Sequence, residues 1–272
     1  THDAGCKVAI GGEGVDELFC GYSFHKIMML ADKLGTLGRK LAALGIKLTP
    51  SSLLNKISAF PADIGGSGKQ KIQHYLSGYN SLSSAEKGVE LRTLFSNQEL
   101  QNLHQPYKQP SLNNNKDLLE SHLIYQFQSW LQDWAIIRQE RNCMAHSVEY
   151  RMPFLDHRLI EFAFNLPNKL KLKGTEGKSI WRQMAAKYYP ETQHKRTKQP
   201  FYFPTENEAY FSQITNLLDS TIGSEAFRNR QIFNQSTIQK IRQKADQTRE
   251  FLPIKQLLSL SILEIWMQEH GV

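Results

Sequence analysis

"GGEGVDELFCGY", residues 11–22, sets three glycines in four positions around Glu13 and follows them with the adjacent acids Asp16 and Glu17. Glycine reaches positive φ without a steric penalty and lets a ligand approach the backbone closely. Ahead of the turn, "CKVAI" (6–10) is a short apolar run consistent with a buried strand. Behind it, a helical pattern begins near Val15, with Asp16 and Glu17 in its first turn, where acids suit the positive end of the helix dipole. Strand, glycine turn and helix in that order form the carboxyl end of a strand in an α/β sheet, where such folds bind ligands. No comparable strand–helix alternation follows, so the partner strands are expected upstream of Thr1. Two readings of the turn stand side by side. One is a structural turn with acids on a helix N-terminus. The other is a backbone pocket in which Glu13 meets a substrate and Asp16 meets a metal, since paired acids near a phosphate need Mg²⁺ between them.

The rest of the chain reads as helical. Residues 23–60 mix apolar and basic residues and suggest helix with breaks, and residues 72–104 suggest two or three short helices. "DIGGSGKQK" (63–71) reads as a flexible loop. Its "GGSGK" is not a phosphate-binding P-loop, because that pattern needs glycine where Asp63 stands and Ser or Thr where Gln70 stands. "QPYKQPSLNNN" (105–115) is a loop of Pro and Asn. Asp117 and Glu120 form a capping-box pattern. Leu119, Leu123, Phe127, Trp130, Trp134 and Ile137 then recur at three- and four-residue steps, one face of a long helix. "HRLIEFAFNLP" reads as a helix stopped by Pro167, and "EGKSIWRQMAAKYYP" as one stopped by Pro190. Residues 206–218, 235–247 and 253–268 complete the helical pattern.

The 272 residues suffice to bury a sizeable core, and no apolar run approaches the roughly 18 residues of a membrane span. The widely spaced Cys6, Cys20 and Cys143 are odd in number and do not read as a disulfide framework, which suggests a reducing, cytoplasmic setting. The formal charge of +7 is spread along the chain without a nucleic-acid-binding motif, so it reads as an ordinary basic surface rather than a nucleic-acid footprint, and is equally compatible with binding small anions such as nucleotides. "THDAGCKVAI" has neither a signal-peptide pattern nor an initiator Met, and the chain is expected to be a piece of a longer one.

Two further clusters carry charge. "RQERNCMAHSVEYRMPFLDHR" (138–158) holds Arg138, Glu140, Arg141, His146, Glu149, Arg151, Asp156, His157 and Arg158, which read as ion pairs knitting two helices. His146 reads as a hydrogen-bonded structural histidine. "GKSIWR" and "KRTKQPF" offer Lys178, Arg182, Lys195, Arg196 and Lys198, either as a solvated basic face or as lysines aimed at phosphate, where a point charge offsets developing negative charge.

Together these stretches resemble the synthetase domain of glutamine-dependent asparagine synthetases. "GGEGVDELFCGY" is similar to the family's "SGEGxDExFGGY". "QERNCMAHSVEYRMPFLDHRLIEFAFNLP" is similar to "VDRMSMAHSLEVRVPFLDHRLVEFALSLP", and "GKSIWRQMAAKYYPETQHKRTKQPF" to "TKYILRKAMxGLLPEEIxxRKKQGF". The likeness covers residues 5–30 and 128–204 in matching order. It implies a helix-rich α/β fold, the C-terminal part of a PP-loop ATPase (adenine-nucleotide α-hydrolase-like) domain, with the N-terminal part of its parallel sheet missing. Residues 1–30 would be the end of the nucleotide-binding core, 31–127 a poorly matched helical part and 128–272 the helical C-terminal part.

The resemblance also implies a chemistry. The acid's carboxylate is activated by ATP with Mg²⁺ to an acyl-adenylate, and ammonia released from glutamine by an upstream glutaminase domain attacks it, so that aspartate becomes asparagine. On that pattern Glu13 and Lys198 are catalytic. Gly11, Gly12, Glu13, Gly14, Lys178 and Lys198 bind ATP and the acyl-adenylate, and Asp16 is a metal ligand. Glu13 argues against the β-lactam-forming relatives, which tend to carry tyrosine there. The resemblance implies no nucleic acid or membrane partner and a possible homodimer. The family's "SGGxDSS" nucleotide loop and its glutaminase cysteine are not in this sequence, so the chain is expected to be inactive alone. Gly11, Glu140, Cys143 and Pro200 stand where the family has Ser, Asp, Ser and Gly, and Pro200 removes an amide donor beside Lys198. Two other readings remain open: amide formation on another acid, of a natural product or surface sugar, and a degenerate binding domain.

Overall fold

The computed structural model describes residues 4–50, 53–54, 65–82, 87, 90–91, 94–95, 99, 117–174, 176–194, 204–205 and 207–271. In chain order the elements are β1 (Val8–Ile10), α1 (Val15–Leu18), α2 (Ser23–Lys33), α3 (Thr36–Leu48) and α4 (Gly65–Gly78). Then come α5 (Leu118–Gln126), a π-helical stretch Phe127–Ile136, α6 (Ile137–Met144), β2 (Glu149–Arg151), α7 (His157–Asn165) and α8 (Asn168–Lys171). The chain continues through β3 (Leu172–Lys173), β4 (Glu176–Gly177), α9 (Ser179–Ala185), α10 (Glu191–His194), α11 (Glu208–Ser220), α12 (Glu225–Asn229), α13 (Gln235–Thr248) and α14 (Phe251–Glu269). The fold is helix-rich α/β with a small parallel sheet. It divides into two compact units, one of residues 1–35, 81–89 and 110–198, the other of 36–80, 90–109 and 199–272.

In the first unit β1 pairs with β2 in parallel, Val8 opposite Glu149, Ala9 opposite Tyr150 and Ile10 opposite Arg151. One partner strand of β1 therefore lies downstream, which corrects the expectation that all of them lie upstream of Thr1. A three-residue strand with charges at both ends has no apolar period to announce it. The run 6–10 is also less buried than its composition suggests. Within this chain Ile10 is 75% exposed. Beneath the turn Leu18, Phe19 and Ala163 form a core with Leu159, Ile160, Ile180 and Trp181 packed around it.

The capping pattern at Asp117 is as read. Its side chain accepts a hydrogen bond from the Glu120 amide at 2.9 Å, and Asn168 donates to its other oxygen at 2.7 Å. The long helix that follows is not one α-helix. Its ten middle residues form π turns, whose i→i+5 bonds rotate a 3.6-residue apolar pattern away from the core. Leu119 and Leu123 are buried as expected, but the buried residues of the π stretch are Leu131 and Ala135. Trp134 and Ile137 face outward, Trp134 stacked on Trp130 with ring centroids 4.4 Å apart.

In the second unit residues 65–71, read as a flexible loop, open α4 instead. The part 72–78 is helical as expected, and residues 105–115 lie outside the described residues. Each interior glycine costs a helix roughly 1 kcal/mol relative to alanine. The burial of Ile72, Tyr75 and Leu76 against α3 outweighs that cost, and Glu250 binds the amide of Ser67 at 3.0 Å and its hydroxyl as well. Helices α11, α13 and α14 enclose the other core, centred on Leu218, Ile238, Ile254 and Leu257, as their periodicity implies. The helix expected up to Pro190 ends at Ala185.

Asp117→Ala removes a cap and an inter-segment hydrogen bond together. It is expected to lower stability by about 1 kcal/mol or more, and Asp117→Asn by less, read as the urea midpoint. Equal midpoints for Asp117→Ala and the parent would show that the cap contributes nothing.

Candidate functional site

The site begins where β1 runs out. The Gly11 amide donates to the Arg151 carbonyl at 2.9 Å, extending the parallel ladder by one residue. The chain then turns through Gly12, Glu13 and Gly14. Gly14 has φ +93°, and a Cβ on it would lie 2.3 Å from Leu155 Cδ2, so both conformation and space demand glycine. Gly14 starts α1, its carbonyl accepting from the Leu18 amide at 2.8 Å. The expected order of strand, turn and helix, with Asp16 and Glu17 in the first helical turn, is therefore present.

Each acid of the turn has its own partner. Glu13 Oε2 accepts from the Tyr150 hydroxyl at 2.5 Å. Asp16 Oδ1 lies 2.8 Å from Lys178 Nζ, in an ion pair more than three-quarters buried on both sides. Glu17 is buried and accepts from the Tyr22 hydroxyl at 2.6 Å. Burial first, and the Glu17 carboxylate second, hold the Tyr22 phenol well above its ordinary pKa, so it stays a donor.

Lys178 reaches Asp16 because its backbone is pinned. Its amide donates to the Phe19 carbonyl at 2.8 Å, and it adopts φ 57° at the start of α9. Trp181, one turn on, wedges its ring edge-on against Phe19 and Phe154, with centroids 5.5 Å and 5.1 Å away. A Cβ on Gly21 would stand 1.7 Å from Asp16 Oδ1, so this ion pair occupies the space a side chain would need. Lys26 belongs to the same neighbourhood. Burial lowers its pKa first, the Arg182 guanidinium lowers it further, and Glu176 opposes both.

The structure thus brings Gly11, Gly12, Glu13, Gly14, Asp16 and Lys178 to one place. Lys195, Arg196 and Lys198 lie outside the described residues. The 138–158 cluster does not knit two helices. Its ion pairs are local, Arg151 with Glu149 along β2 and Arg158 with Asp156 at the N-cap of α7, and all four side chains are largely exposed except that of Asp156. His146, read as a hydrogen-bonded structural histidine, is exposed, as are Glu140, Arg141 and His157. Arg138 lies over the Trp134 ring, 3.8 Å from its centroid. Tyr150, Tyr22 and Lys26 were not singled out in the sequence.

The family model for asparagine synthase matches residues 1–268. The chain belongs to the asparagine synthase family. Among curated relatives it is similar to asparagine synthetase [glutamine-hydrolyzing] 3 of Bacillus subtilis (strain 168), at 31% identity over 109 residues, 40% of this chain and 17% of that protein. It is also similar to asparagine synthetase [glutamine-hydrolyzing] 1 of the same organism, at 25% identity over 203 residues, 72% of this chain and 30% of that protein. The chain spans less than a third of the length of either relative. No solved structure matches significantly. No helix among the described residues is long and apolar enough to cross a membrane.

Two outcomes are expected at this site. Gly21→Ala displaces Asp16 from Lys178 and costs roughly 1–3 kcal/mol of stability by overpacking, read by urea unfolding. Cys20 is buried, and desolvation above all pushes its thiol up to about 12, so it stays protonated at pH 8. Iodoacetamide at pH 8 should label the exposed Cys6 first and Cys20 only after unfolding. Early labelling of Cys20 would overturn this.

Proposed function

We propose that this chain is the synthetase part of an ATP-dependent amide-forming ligase, which converts aspartate, ATP and glutamine-derived ammonia to asparagine, AMP and pyrophosphate. Membership of the asparagine synthase family over residues 1–268 carries the reading. Glu13, Asp16 and Lys178 around one glycine turn support it from the geometry. An oxygen of the acid's carboxylate attacks the α-phosphorus of ATP, and the bond to pyrophosphate breaks. Ammonia then forms a bond to the acyl carbon, and AMP leaves with the oxygen.

In this reading the backbone of Gly11, Gly12 and Gly14 floors the pocket. Glu13 stands at the acyl group and takes the proton that the attacking amine sheds. Lys178, and Lys198 on the sequence resemblance, place ammonium charge where pyrophosphate develops its own. Lys178 does so by leaving Asp16, so phosphate and Asp16 compete for one ammonium. Upstream, the glutaminase domain supplies ammonia, and the setting is cytoplasmic.

Magnesium would sit at Asp16. Mg²⁺ takes one or two carboxylates together with substrate phosphates. Asp16, released as Lys178 turns to phosphate, would supply one such carboxylate, and the ion would offset the charge of the departing pyrophosphate.

In the complete protein, Glu13→Ala and Lys198→Ala are each expected to abolish aspartate-dependent AMP formation while leaving the thermal unfolding midpoint near that of the parent. AMP release is measured with ATP, aspartate and ammonium chloride. Full activity in either variant removes that residue from the catalytic assignment.

A further inference from the structure

The register of the two-stranded sheet puts Tyr150 opposite Ala9, two residues before the glycine turn. Its hydroxyl reaches across to Glu13 Oε2 at 2.5 Å. This reach depends on residue 11. A Cβ on Gly11 would stand 1.7 Å from the Tyr150 hydroxyl oxygen and 2.3 Å from Glu13 Oε2. Serine at 11 would overlap the phenol, and valine at 150 would not reach the carboxylate. Residues 11 and 150 therefore fit together: the missing side chain at Gly11 leaves beside Glu13 the space that the Tyr150 hydroxyl fills from the neighbouring strand.

We propose that Tyr150 is the positioning residue for Glu13, and that Gly11 and Tyr150 act as one steric unit that admits its hydroxyl to the acyl pocket. The proposal rests on the reading of Glu13 as an acyl-site residue. With Oε2 held by the phenol, Oε1 is the oxygen turned to the incoming amine. Burial, reinforced by the Glu13 carboxylate, keeps the phenol above its ordinary pKa, so it donates at neutral pH and takes no proton itself. A hydrogen bond that orders a base without touching the reacting atoms acts on turnover rather than on nucleotide binding.

The test uses the complete protein and five forms: the parent, Tyr150→Phe, Gly11→Ser, Tyr150→Val and the double variant Gly11→Ser with Tyr150→Val. Thermal midpoints, and kcat and KM for AMP formation with ATP, aspartate and ammonium chloride, are measured for each. Tyr150→Phe keeps the ring and is expected to leave the midpoint unchanged, lower kcat roughly ten- to a hundredfold and leave the KM for ATP unchanged. Parental kcat in Tyr150→Phe overturns the positioning role. Gly11→Ser is expected to lower the midpoint, and adding Tyr150→Val to restore most of it; additive losses overturn the steric unit. A parent that makes no AMP overturns the amide-forming reading and the positioning role with it, while the thermal comparison still decides the steric pairing.

Discussion

Three residues of parallel pairing between β1 and β2 carry the arrangement of the first unit. They join the start of the chain to a segment far downstream, and the Gly11 amide adds one more ladder bond to Arg151. Without this pairing the glycine turn would be a loop with acids on it. With it, Tyr150 is delivered to Glu13, and the 3₁₀ turn Pro153–Leu155 puts Leu155 against Gly14. So short a parallel pair is marginal by itself, since sheets draw stability from several strands and covered faces. The packing of Leu18, Phe19, Ala163 and Trp181 beneath the turn supplies what the ladder lacks.

Charge is distributed around the turn by the same logic. Three carboxylates within five residues would repel one another if left unpartnered. Each is answered by a different element: Glu13 by a β2 phenol, Asp16 by the lysine that starts α9, and Glu17 by Tyr22 just after α1. Two of the answers are neutral donors, which stabilise a carboxylate without cancelling its charge. The third is an ammonium and does cancel it.

The strand, turn and first helix were legible in the sequence because glycine spacing and first-turn acids are local signals. So were the cap at Asp117 and the helices of the second unit, where capping oxygens and apolar periods agree. The partner of β1 was not legible, because Glu149 and Arg151 flank a lone aromatic and no period survives in three residues. The helix over Gly65–Gly78 was hidden by its glycines, whose local cost is outweighed by burial on another helix. The π turns were hidden for the opposite reason: the apolar residues keep a 3.6 period through a stretch whose backbone does not. At the site, residue types were readable and pairings were not. Glu13, Asp16 and Lys178 stood out as separate candidates, and nothing local says that Lys178 would meet Asp16 or that Tyr150 would matter.

Lys178 holds a left-handed backbone at φ 57°, a conformation that suits glycine or asparagine and costs a lysine of order 1 kcal/mol or more. The backbone at this position and the ammonium it carries therefore favour different residues. Glycine here would relieve that backbone strain, but it would leave the largely buried Asp16 carboxylate without the Lys178 ammonium, a loss of roughly 3–5 kcal/mol that outweighs the gain. A substitution chosen from backbone preference alone would therefore lower stability and alter the charge beside the glycine turn together. Consensus-driven thermostabilisation of this fold should leave residue 178 alone.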